Sequence, residues 1–404
     1  MNQPNRRHFM LGASLTALQA TRAMGANDRI GVSVIGCGTR GLLGEVLQFS
    51  KESNVEVAGV CDIWTQHREA AAAQVAKTGA PEPKKFVHIE EALDSPAVDA
   101  VLISTPDHQH CTLLTAAVQA KKDVYIEKPL AMNMEELLPA VDAVKRSDRI
   151  VQCGTQVRSF APSAAGRAFA GAGGLGTIFK IEQSRNAYSP YWEGYARRKV
   201  AEADVDWKAF LMSRKPRPWD ADQFAGWMGY HEFSLGPHSQ LMPHFIDLIH
   251  FVTGASYPEK VTAMGGTYRW KGPRTAPDSI EVLLEYKEGF LVRYNSTFGT
   301  NANSFLKFFG TRGVMDATRW SDPWLISGEG VTDADRIAPG AKIPEAPSTP
   351  HMKNWFDCMR SRKQPAAPID AGYGHAVACI MADESYTRGR RMVHDAEKRA
   401  IREG

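Results

Sequence analysis

The feature that most constrains the fold is a glycine-rich turn at residues 36–41. The residues from Arg29 to Ile35 are typical of a buried β-strand, and the apolar spacing from Leu42 to Ser50 is helical. Between them stands Gly36-Cys37-Gly38-Thr39-Arg40-Gly41, the pattern G-x-G-x-x-G. Between a strand and a helix this pattern is typical of dinucleotide binding, because glycines permit a tight turn, close approach of a pyrophosphate and close helix–strand packing. It predicts a Rossmann domain.

An acidic residue follows at the expected distance. The second predicted strand, Val55 to Cys61, ends at Asp62. A carboxylate about 20 residues after the glycine turn is the usual partner of the adenosine ribose hydroxyls. Because it would repel a 2′-phosphate, Asp62 predicts NAD as the cofactor rather than NADP.

Two later turns are predicted at the edge of the same sheet. The apolar run Val98 to Ser104 suits a parallel strand and precedes Thr105-Pro106-Asp107-His108-Gln109-His110. The run Val124 to Ile126 precedes Glu127-Lys128-Pro129, where proline ends the strand and keeps Lys128 extended. Open α/β sheets bind ligands at the carboxyl ends of their strands, so Lys128 is expected to face a cofactor or substrate. The alternative is a surface lysine beside a turn.

The 404 residues suit two domains. After residue 154 several strand-like segments follow one another without helices, which predicts an antiparallel or mixed sheet. They are Ile178 to Ser184, Lys260 to Tyr268, Ser279 to Tyr286, Gly289 to Phe298 and Ser304 to Phe309. The sheet should be covered by helices on one face and open on the other, an arrangement common at homodimer interfaces. The expected fold is α/β, with a Rossmann domain and a second α/β domain built on a large open sheet.

The expected organisation has four parts: an export signal at 1–26, the Rossmann domain at 27–154, a substrate and oligomerisation domain at 155–350, and C-terminal helices at 351–404 that pack back on the first domain. The signal is inferred from Asn5-Arg6-Arg7-His8-Phe9-Met10, a twin-arginine pattern that predicts export in the folded state to the periplasm or beyond. A net charge of +3 without blocks of like charge does not indicate nucleic-acid binding. No apolar run is long enough for a membrane span, and the six cysteines have no metal-site spacing.

The glycine turn, Thr105-Pro106 with His110, and above all Glu127-Lys128-Pro129 resemble the Gfo/Idh/MocA oxidoreductase family. The likeness extends over nearly all of the chain after the leader. Gly154-Thr155-Gln156 looks like the segment that enters the second domain, and 351–363 like the helix that packs back on the first. The resemblance and the motifs together assign cofactor binding to Gly36, Gly38, Thr39, Arg40, Gly41, Asp62, Thr105, Pro106, His110, Glu127 and Lys128.

The resemblance also implies where the chemistry lies. In the family a corresponding element commonly reads D-x-G-x-H-x-x-D, and here His244 and Asp247 match the histidine and the second acid. Gln240 stands where the first acid is usual, and glutamine cannot accept a proton. The prediction is that His244 takes the proton of a substrate hydroxyl while Lys128 stabilises the developing alkoxide. The alternative for His244 is a helix-start histidine satisfied by backbone.

Other residues are weaker candidates. His231, His238 and Tyr188 are candidates to replace the missing acid, although each suits a packing role as well. Substrate binding is assigned to Gln156, Arg158, Arg185, Tyr188, Gln240 and Asp247. For the arginines a structural ion pair is an equal alternative.

Three functions remain open at this point. The first is an NAD-dependent oxidoreductase acting on a sugar, glycoside or related polyol, with a cofactor that stays bound. The second is an NAD-dependent glycosidase or lyase, in which transient oxidation acidifies a neighbouring C–H and permits elimination. The family includes such α-N-acetylgalactosaminidases, but they usually depart from Glu-Lys-Pro, which this chain keeps. The third is a non-catalytic ligand-binding protein, against which Lys128, His244 and the leader argue.

Overall fold

A computed structural model describes residues 28–38 and 40–404. The twin-arginine segment and Thr39 lie outside the described residues. The first domain is a parallel sheet of six strands with the order β3-β2-β1-β4-β5-β6. Its strands are β1 Ile30–Ile35, β2 Val55–Cys61, β3 Lys84–Phe86, β4 Ala100–Ile103, β5 Asp123–Ile126 and β6 Val151–Cys153. Its helices are α1 Leu42–Ser50, α2 Thr65–Ala76, α3 Ile89–Leu93, α4 His110–Gln119 and α5 Met134–Lys145.

The carboxyl edge of this sheet is well aligned. Ile35 pairs with Ile103, Ile103 with Ile126, and Ile126 with Cys153. The turns that follow β1, β4, β5 and β6 therefore leave the sheet side by side. The strand order reverses between β1 and β4, and in open α/β sheets that reversal opens a crevice in which ligands bind.

The second domain contains a nine-stranded sheet with the order β13-β12-β11-β7-β10-β9-β8-β14-β15. Its strands are β7 Ile178–Ala187, β8 Lys260–Gly266, β9 Ser279–Tyr286, β10 Phe290–Phe298, β11 Phe305–Gly310, β12 Gly313–Asp316, β13 Leu325–Ser327, β14 Met392–Asp395 and β15 Ala400–Glu403. Strands β7 and β10 pair in parallel, and the other neighbouring strands pair antiparallel. The sheet is thus mixed but mainly antiparallel.

The remaining helices lie between and over these sheets. They are α6 Ala161–Gly171, α7 Tyr191–Ala196, α8 Trp207–Leu211, α9 Ala221–Ala225, α10 Pro237–Gln240, α11 Met242–Thr253, α12 His351–Ser361 and α13 Ile369–Arg388. Helices α11 and α13 share one apolar core with the buried face of the sheet, for which β9 supplies Ile280, Val282 and Leu284. The other face stays open, and Leu283 and Leu291 on it are 46% and 39% exposed.

Two helices and two short strands make up the C-terminal part, for which packing on the first domain was expected. Helix α12 does pack there, because Met352, Trp355 and Phe356 join the core behind β1 and β2. Helix α13 contacts both domains: Gly372 lies against Cys153 and Leu130 of the first domain, and the helix also packs on the second sheet. Residues 376–382 are buried all round it, so the helix needs apolar neighbours on every side. The chain then ends in β14 and β15, which extend that sheet through the pairing of Met392 with Val261. Four-residue strands are too short to leave a recognisable periodicity.

Among the described residues, none of the helices has the length and apolar composition that crossing a membrane requires. The six cysteines, all of them in this part of the chain, are unpaired.

Candidate active site

The glycine turn after β1 has the geometry that its sequence predicts. Gly36 adopts a φ of +83°, and a Cβ there would lie 2.7 Å from the carbonyl oxygen of Ser104. Gly41 has a φ of +79° and precedes the first residue of α1. Only glycine adopts this backbone at low cost, so both positions depend on the missing side chain.

Asp62 lies at the end of β2, directly beside that turn. One carboxylate oxygen accepts a hydrogen bond of 2.8 Å from the backbone N–H of Cys37, and the other accepts one of 2.8 Å from the N–H of Trp64. The imidazole of His67 lies 3.4 Å from the first oxygen. The carboxylate is therefore held in one position at the rim of the crevice, where the ribose prediction requires it.

The turn after β4 contacts both the turn after β5 and the second domain. His110 places its Nδ1 2.7 Å from the carbonyl oxygen of Pro129 and its Nε2 2.9 Å from that of Thr105, so its ring connects the turns after β4 and β5. His108 Nε2 lies 2.7 Å from the carbonyl oxygen of Phe210, to which Gln109 also donates at 3.0 Å. Burial lowers the pKa of His108 to about 3, so it stays neutral. These contacts anchor the second domain on the turn.

Asp107, in the middle of this turn, is a buried carboxylate whose side-chain hydrogen-bond donors are neutral. Its Oδ2 accepts hydrogen bonds from Ser234 Oγ at 2.8 Å, Ser239 Oγ at 2.7 Å and Gln240 Nε2 at 3.2 Å. Burial raises the pKa of Asp107, while the charges of His110 and Lys128 and the serine hydrogen bonds act in the opposite direction. The turn motif was recognised from the sequence, but no role was predicted for Asp107. The sequence signal for Asp107 was its place in the turn that follows the apolar run Val98 to Ser104. No sequence signal pointed to Ser234 or Ser239.

Lys128 extends from the end of β5 into the same region. Its peptide bond to Pro129 is cis, and its Nζ donates to the backbone carbonyl of Gln240 at 2.7 Å. Burial lowers the pKa of Lys128, opposed chiefly by the negative charges of Glu127 and Asp107. A lysine with a lowered pKa has more of the neutral amine at ambient pH than an exposed lysine does.

Glu127 and its neighbours form the adjoining wall. Glu127 Oε1 lies 3.4 Å from an Nη atom of Arg40, and a Cβ on Gly154 would lie 2.7 Å from that oxygen. With its amide oriented to satisfy both neighbours, Gln156 accepts from Arg40 at 2.7 Å and donates to the Gly154 carbonyl at 2.9 Å. The predicted residues Arg40, Glu127 and Gln156 thus form one polar chain beside the glycine turn.

One cavity of about 460 Å³ connects these features. Its walls include most of the predicted cofactor residues together with Asp107 and Gln240: Gly36, Gly38, Arg40, Asp62, Thr105, Pro106, Asp107, Glu127, Lys128 and Gln240. Five aromatic side chains also line it: Trp64, Tyr195, Phe210, Phe224 and Trp227.

A segment of the second domain, residues 201–214, contributes Ala209, Phe210 and Met212 to the lining of this cavity and is named the strap. Val205 forms an antiparallel bridge with Trp64, and the N–H of Asp206 donates to the carbonyl of Ile63 at 3.1 Å. At its far end Arg214 lies 3.2 Å from a carboxylate oxygen of Glu136. The strap is therefore fastened to the first domain at both ends.

His244 is the residue that was predicted to take the proton of a substrate hydroxyl. It is 6% exposed near the start of α11, it is absent from the cavity lining, and its Nδ1 has no hydrogen-bond partner. Burial and then the charge of Lys128 lower the pKa of His244 well below its ordinary value, which makes it a weak base. Its catalytic role stays a prediction.

Of the six substrate-binding candidates, Gln240 lines the cavity, whereas Gln156, Arg158, Arg185, Tyr188 and Asp247 lie outside its lining. Arg158 binds Asp247 through two hydrogen bonds of 2.8 and 2.5 Å, in agreement with the ion-pair alternative. Tyr188 is 71% exposed, and Arg185 contacts Tyr191. Of the candidates to replace the missing acid, His231 and His238 both lie against Asp383, at 2.9 and 3.4 Å.

The residues present fit a dinucleotide. Thr105 lines the cavity, and its buried Oγ1 has no hydrogen-bond partner among residues 28–38 and 40–404. A buried hydroxyl of this kind is available to a bound ligand. Together with the glycine turn and the fixed carboxylate of Asp62, it gives the cavity the groups that NAD needs.

Comparisons with known proteins match both domains of the chain to one family. Residues 30–155 match the family model described as oxidoreductase family, NAD-binding Rossmann fold, and residues 196–316 match the model of the GFO/IDH/MocA C-terminal domain. Among curated proteins, a glycosyl hydrolase family 109 protein of Shewanella pealeana is 28% identical over 173 residues, which are 36% of this chain and 38% of that protein. Another, from Shewanella sp. strain W3-18-1, is 30% identical over 126 residues, or 30% of this chain and 27% of that protein. The matched part thus spans well under half of these relatives.

Solved structures resemble the chain over nearly its whole length. The WlbA dehydrogenase of Chromobacterium violaceum, in complex with NADH and UDP-GlcNAcA, is 20% identical with a TM-score of 0.70, covering 91% of this chain and 96% of that one. A levoglucosan dehydrogenase, in complex with NADH and levoglucosan, is 18% identical with a TM-score of 0.65, covering 93% and 99%. At these identities the likeness establishes the fold.

Proposed function

The chain belongs to the Gfo/Idh/MocA oxidoreductase family, and from this premise we propose that it transfers a hydride between NAD and a hydroxyl-bearing carbon of a sugar, glycoside or related polyol. One observation carries the proposal. The cavity that is lined by the glycine turn and Asp62 is also lined by Lys128. The groups that suit a dinucleotide and the group that can take a proton therefore share one enclosed space.

Lys128 is the residue to which the proton step is assigned. Bound NAD supplies the hydride acceptor. At the substrate, the O–H proton moves to the Nζ lone pair of Lys128, the electrons of the C–H bond leave as hydride, and the C=O bond forms. The lowered pKa of Lys128 favours the neutral amine that this step needs. We assign the step to Lys128 rather than to His244 because Lys128 lines the cavity.

One feature supports NAD as the cofactor, and another supports a cofactor that stays bound. The carboxylate of Asp62 is fixed by two backbone N–H groups, so a 2′-phosphate would face a charge that cannot turn away. The strap forms part of the cavity wall and is fastened to the first domain at both ends, which supports slow release of the cofactor. A carbohydrate substrate is supported by the family, by the sugar ligands of the two dehydrogenases named above and by the aromatic lining, which suits sugar faces.

The test is the reduced-nicotinamide absorbance of the purified protein after single additions from a panel of free sugars, glycosides and polyols. We expect a lasting rise with one class of compound, reversed by a second carbonyl compound. Absence of any change with the whole panel, with no product formed, would contradict the proposal.

A second function is favoured by the glycosyl hydrolase family 109 relatives. In an NAD-dependent glycosidase or lyase the hydride returns within each turnover. The same assay separates the two, because a cleaved glycoside without lasting absorbance supports this alternative. The intact Glu127-Lys128-Pro129 element supports the oxidoreductase instead.

Two further properties are proposed with it. The twin-arginine motif supports export in the folded state, which fusion of residues 1–27 to a reporter, with Arg6 and Arg7 both replaced by lysine as the control, would test. The open sheet face, with Leu283 at 46% and Leu291 at 39% exposure, supports a homo-oligomer. Light scattering of the wild type and of Leu283→Glu measures its mass.

A further inference from the structure

Gln240 lies between the two ionisable groups of the cavity. Its backbone carbonyl accepts from Lys128 Nζ at 2.7 Å, and its side-chain Nε2 donates to Asp107 Oδ2 at 3.2 Å and to Ser234 Oγ at 2.9 Å. Lys128 and Asp107 come from two different turns of the first domain, whereas Gln240 comes from the second. One residue of the second domain therefore connects the lysine to a carboxylate.

This arrangement explains why position 240 carries an amide. A carboxylate in place of the Gln240 amide would stand 3.2 Å from the carboxylate of Asp107. Two carboxylates so close cannot both ionise, and one would retain a proton at neutral pH. An amide at this position donates a hydrogen bond to Asp107 and removes the conflict. The departure from the usual acid is thus coupled to the acid already present across the domain boundary.

We propose that Asp107 is the positioning residue of Lys128: through Gln240 it supplies from the first domain the carboxylate that the second domain lacks. The inference rests on the proposed function, in which Lys128 takes the substrate proton. When Nζ gains that proton, the amine becomes an ammonium, and the charge of Asp107 stabilises it. No proton is transferred to Asp107 in this step, and the only groups oxidised or reduced are the substrate carbon and the nicotinamide.

The charges around the pair are consistent with this role. Lys128 is influenced by Glu127, Asp107, Arg40 and Cys379, and it acts in turn on His244 and His375. Asp107 is influenced by His110 and Lys128 and bound by neutral groups. Glu127 is shared with Arg40 at 3.4 Å. Asp107 has no arginine partner, so its charge remains available to Lys128.

The experiment measures the protonation of Lys128 without substrate. Reductive methylation with formaldehyde and a borane reagent modifies only neutral amines, and peptide mass spectrometry quantifies Lys128 across a pH series. The purified proteins are compared at equal NAD content. Asp107→Asn removes an anion, so we expect the methylation midpoint of Lys128 to fall by about one pH unit. Gln240→Glu keeps the side-chain length and adds an acid, so its midpoint should be equal to or above that of the wild type.

The exchange of the two groups is the decisive variant. Asp107→Asn with Gln240→Glu returns one amide and one carboxylate to the site, and the midpoint should return to within about 0.3 pH units of the wild type. Ser239→Ala is the matched control, because it removes a hydrogen bond to Asp107 without changing charge, and its midpoint should stay at the wild-type value. The pH profile of kcat should move with the midpoint in each variant.

Two outcomes would overturn the inference: an unchanged midpoint in Asp107→Asn, or no recovery in the exchanged double variant. If Asp107→Asn does not fold, Gln240→Glu and the exchange still decide, since loss of folding or of recovery in the exchange contradicts the inference. Failure of the proposed function is separate. It would appear as a wild type that neither reduces nicotinamide nor cleaves a glycoside, whatever the methylation midpoints are.

Discussion

Asp107 and Asp247 are two buried carboxylates, 4% and 1% exposed, with opposite kinds of partner. Asp247 is held by Arg158 through two hydrogen bonds and lies outside the cavity lining. Asp107 lines the cavity and is bound by two hydroxyls and an amide. A guanidinium neutralises the negative charge of the carboxylate that it binds. Neutral donors hold a carboxylate in place without neutralising it, so the charge of Asp107 can act on Lys128. Burial alone therefore does not indicate which acid takes part in chemistry.

The histidines follow the same division. His250, His351 and His375 are buried, and the charges of Arg158 and Asp247 act on all three. His110 instead connects the turns beside Asp107. The molecule thus has two charged centres. The sealed centre is the buried pair Arg158 and Asp247 with the histidines around it, and the accessible centre is Asp107 and Lys128 in the cavity at the domain boundary. The predictions below separate stability at the first from turnover at the second.

The largest effect is expected at the accessible centre. Lys128→Met removes the proton acceptor and should lower kcat by about 10³-fold or more, with fold and NAD content unchanged. Lys122→Met is the matched control. Lys122 is also half-buried and donates to a backbone carbonyl, that of Val98 at 2.6 Å, but it stands at the opposite end of β5. Equal losses of kcat in the two variants would exclude Lys128 from the mechanism.

At the sealed centre the loss should appear in stability. Asp247→Asn leaves the guanidinium of Arg158 buried without its counter-charge, which costs about 3–5 kcal/mol of unfolding free energy. Urea unfolding followed by fluorescence measures it. Asp148→Asn, at an ion pair with Arg149 whose carboxylate is exposed, should leave the free energy of unfolding close to that of the wild type. If Asp247→Asn were no more destabilising than this control, the two centres would not differ as described.

Acid should act on the same sealed centre. Burial lowers the pKa of His250 to about 3 and the pKa values of His351 and His375 to about 4. The unfolded chain takes up protons on these residues below about pH 6.5, whereas the folded chain does so only at the lower values. Their contribution to stability is thus complete above about pH 6.5 and decreases as the pH falls, by up to about 1.4 kcal/mol per pH unit for each histidine.

Urea unfolding at pH 7, 6 and 5 checks this slope. Replacement of His250 by asparagine should reduce the slope of the free energy of unfolding against pH by the contribution of one histidine. A stability that is flat over this range would mean that these side chains are accessible to protons in the folded state.

The smallest effect is expected at the far end of the cavity. Asp62→Ala should weaken NAD binding about tenfold, or about 1.4 kcal/mol, and reduce discrimination against NADP. Equilibrium binding of both cofactors, with retained NAD after dialysis, measures the change. Glu56→Ala, at an exposed acid of the same strand, should leave both affinities at the wild-type level. An unaltered preference in Asp62→Ala would show that the ribose partner lies elsewhere.

Much of the fold could be predicted because its signals are local. Strand, turn and helix preferences are encoded within about ten consecutive residues. Three such segments carried the prediction: the glycine turn, the run from β4 into Thr105, and Glu127-Lys128-Pro129 at the end of β5. The short strands β14 and β15 and the packing of α13 on the second sheet were not predicted, because they depend on partners far along the chain. The site shows the same limit: Arg158 and Asp247 were both candidates, but their pairing across 89 positions has no sequence signal.

The sequence by itself determined the Rossmann domain, its family and the position of Lys128 at the end of a strand. These follow from backbone preferences and residue spacing, which act between neighbours in the chain. Only the tertiary structure decided which carboxylate lies near that lysine, since Asp107 and Gln240 meet across 133 positions and a domain boundary. Electrostatic interactions depend on distance in space rather than along the chain, so the environment of a charge is settled only when the domains are packed together.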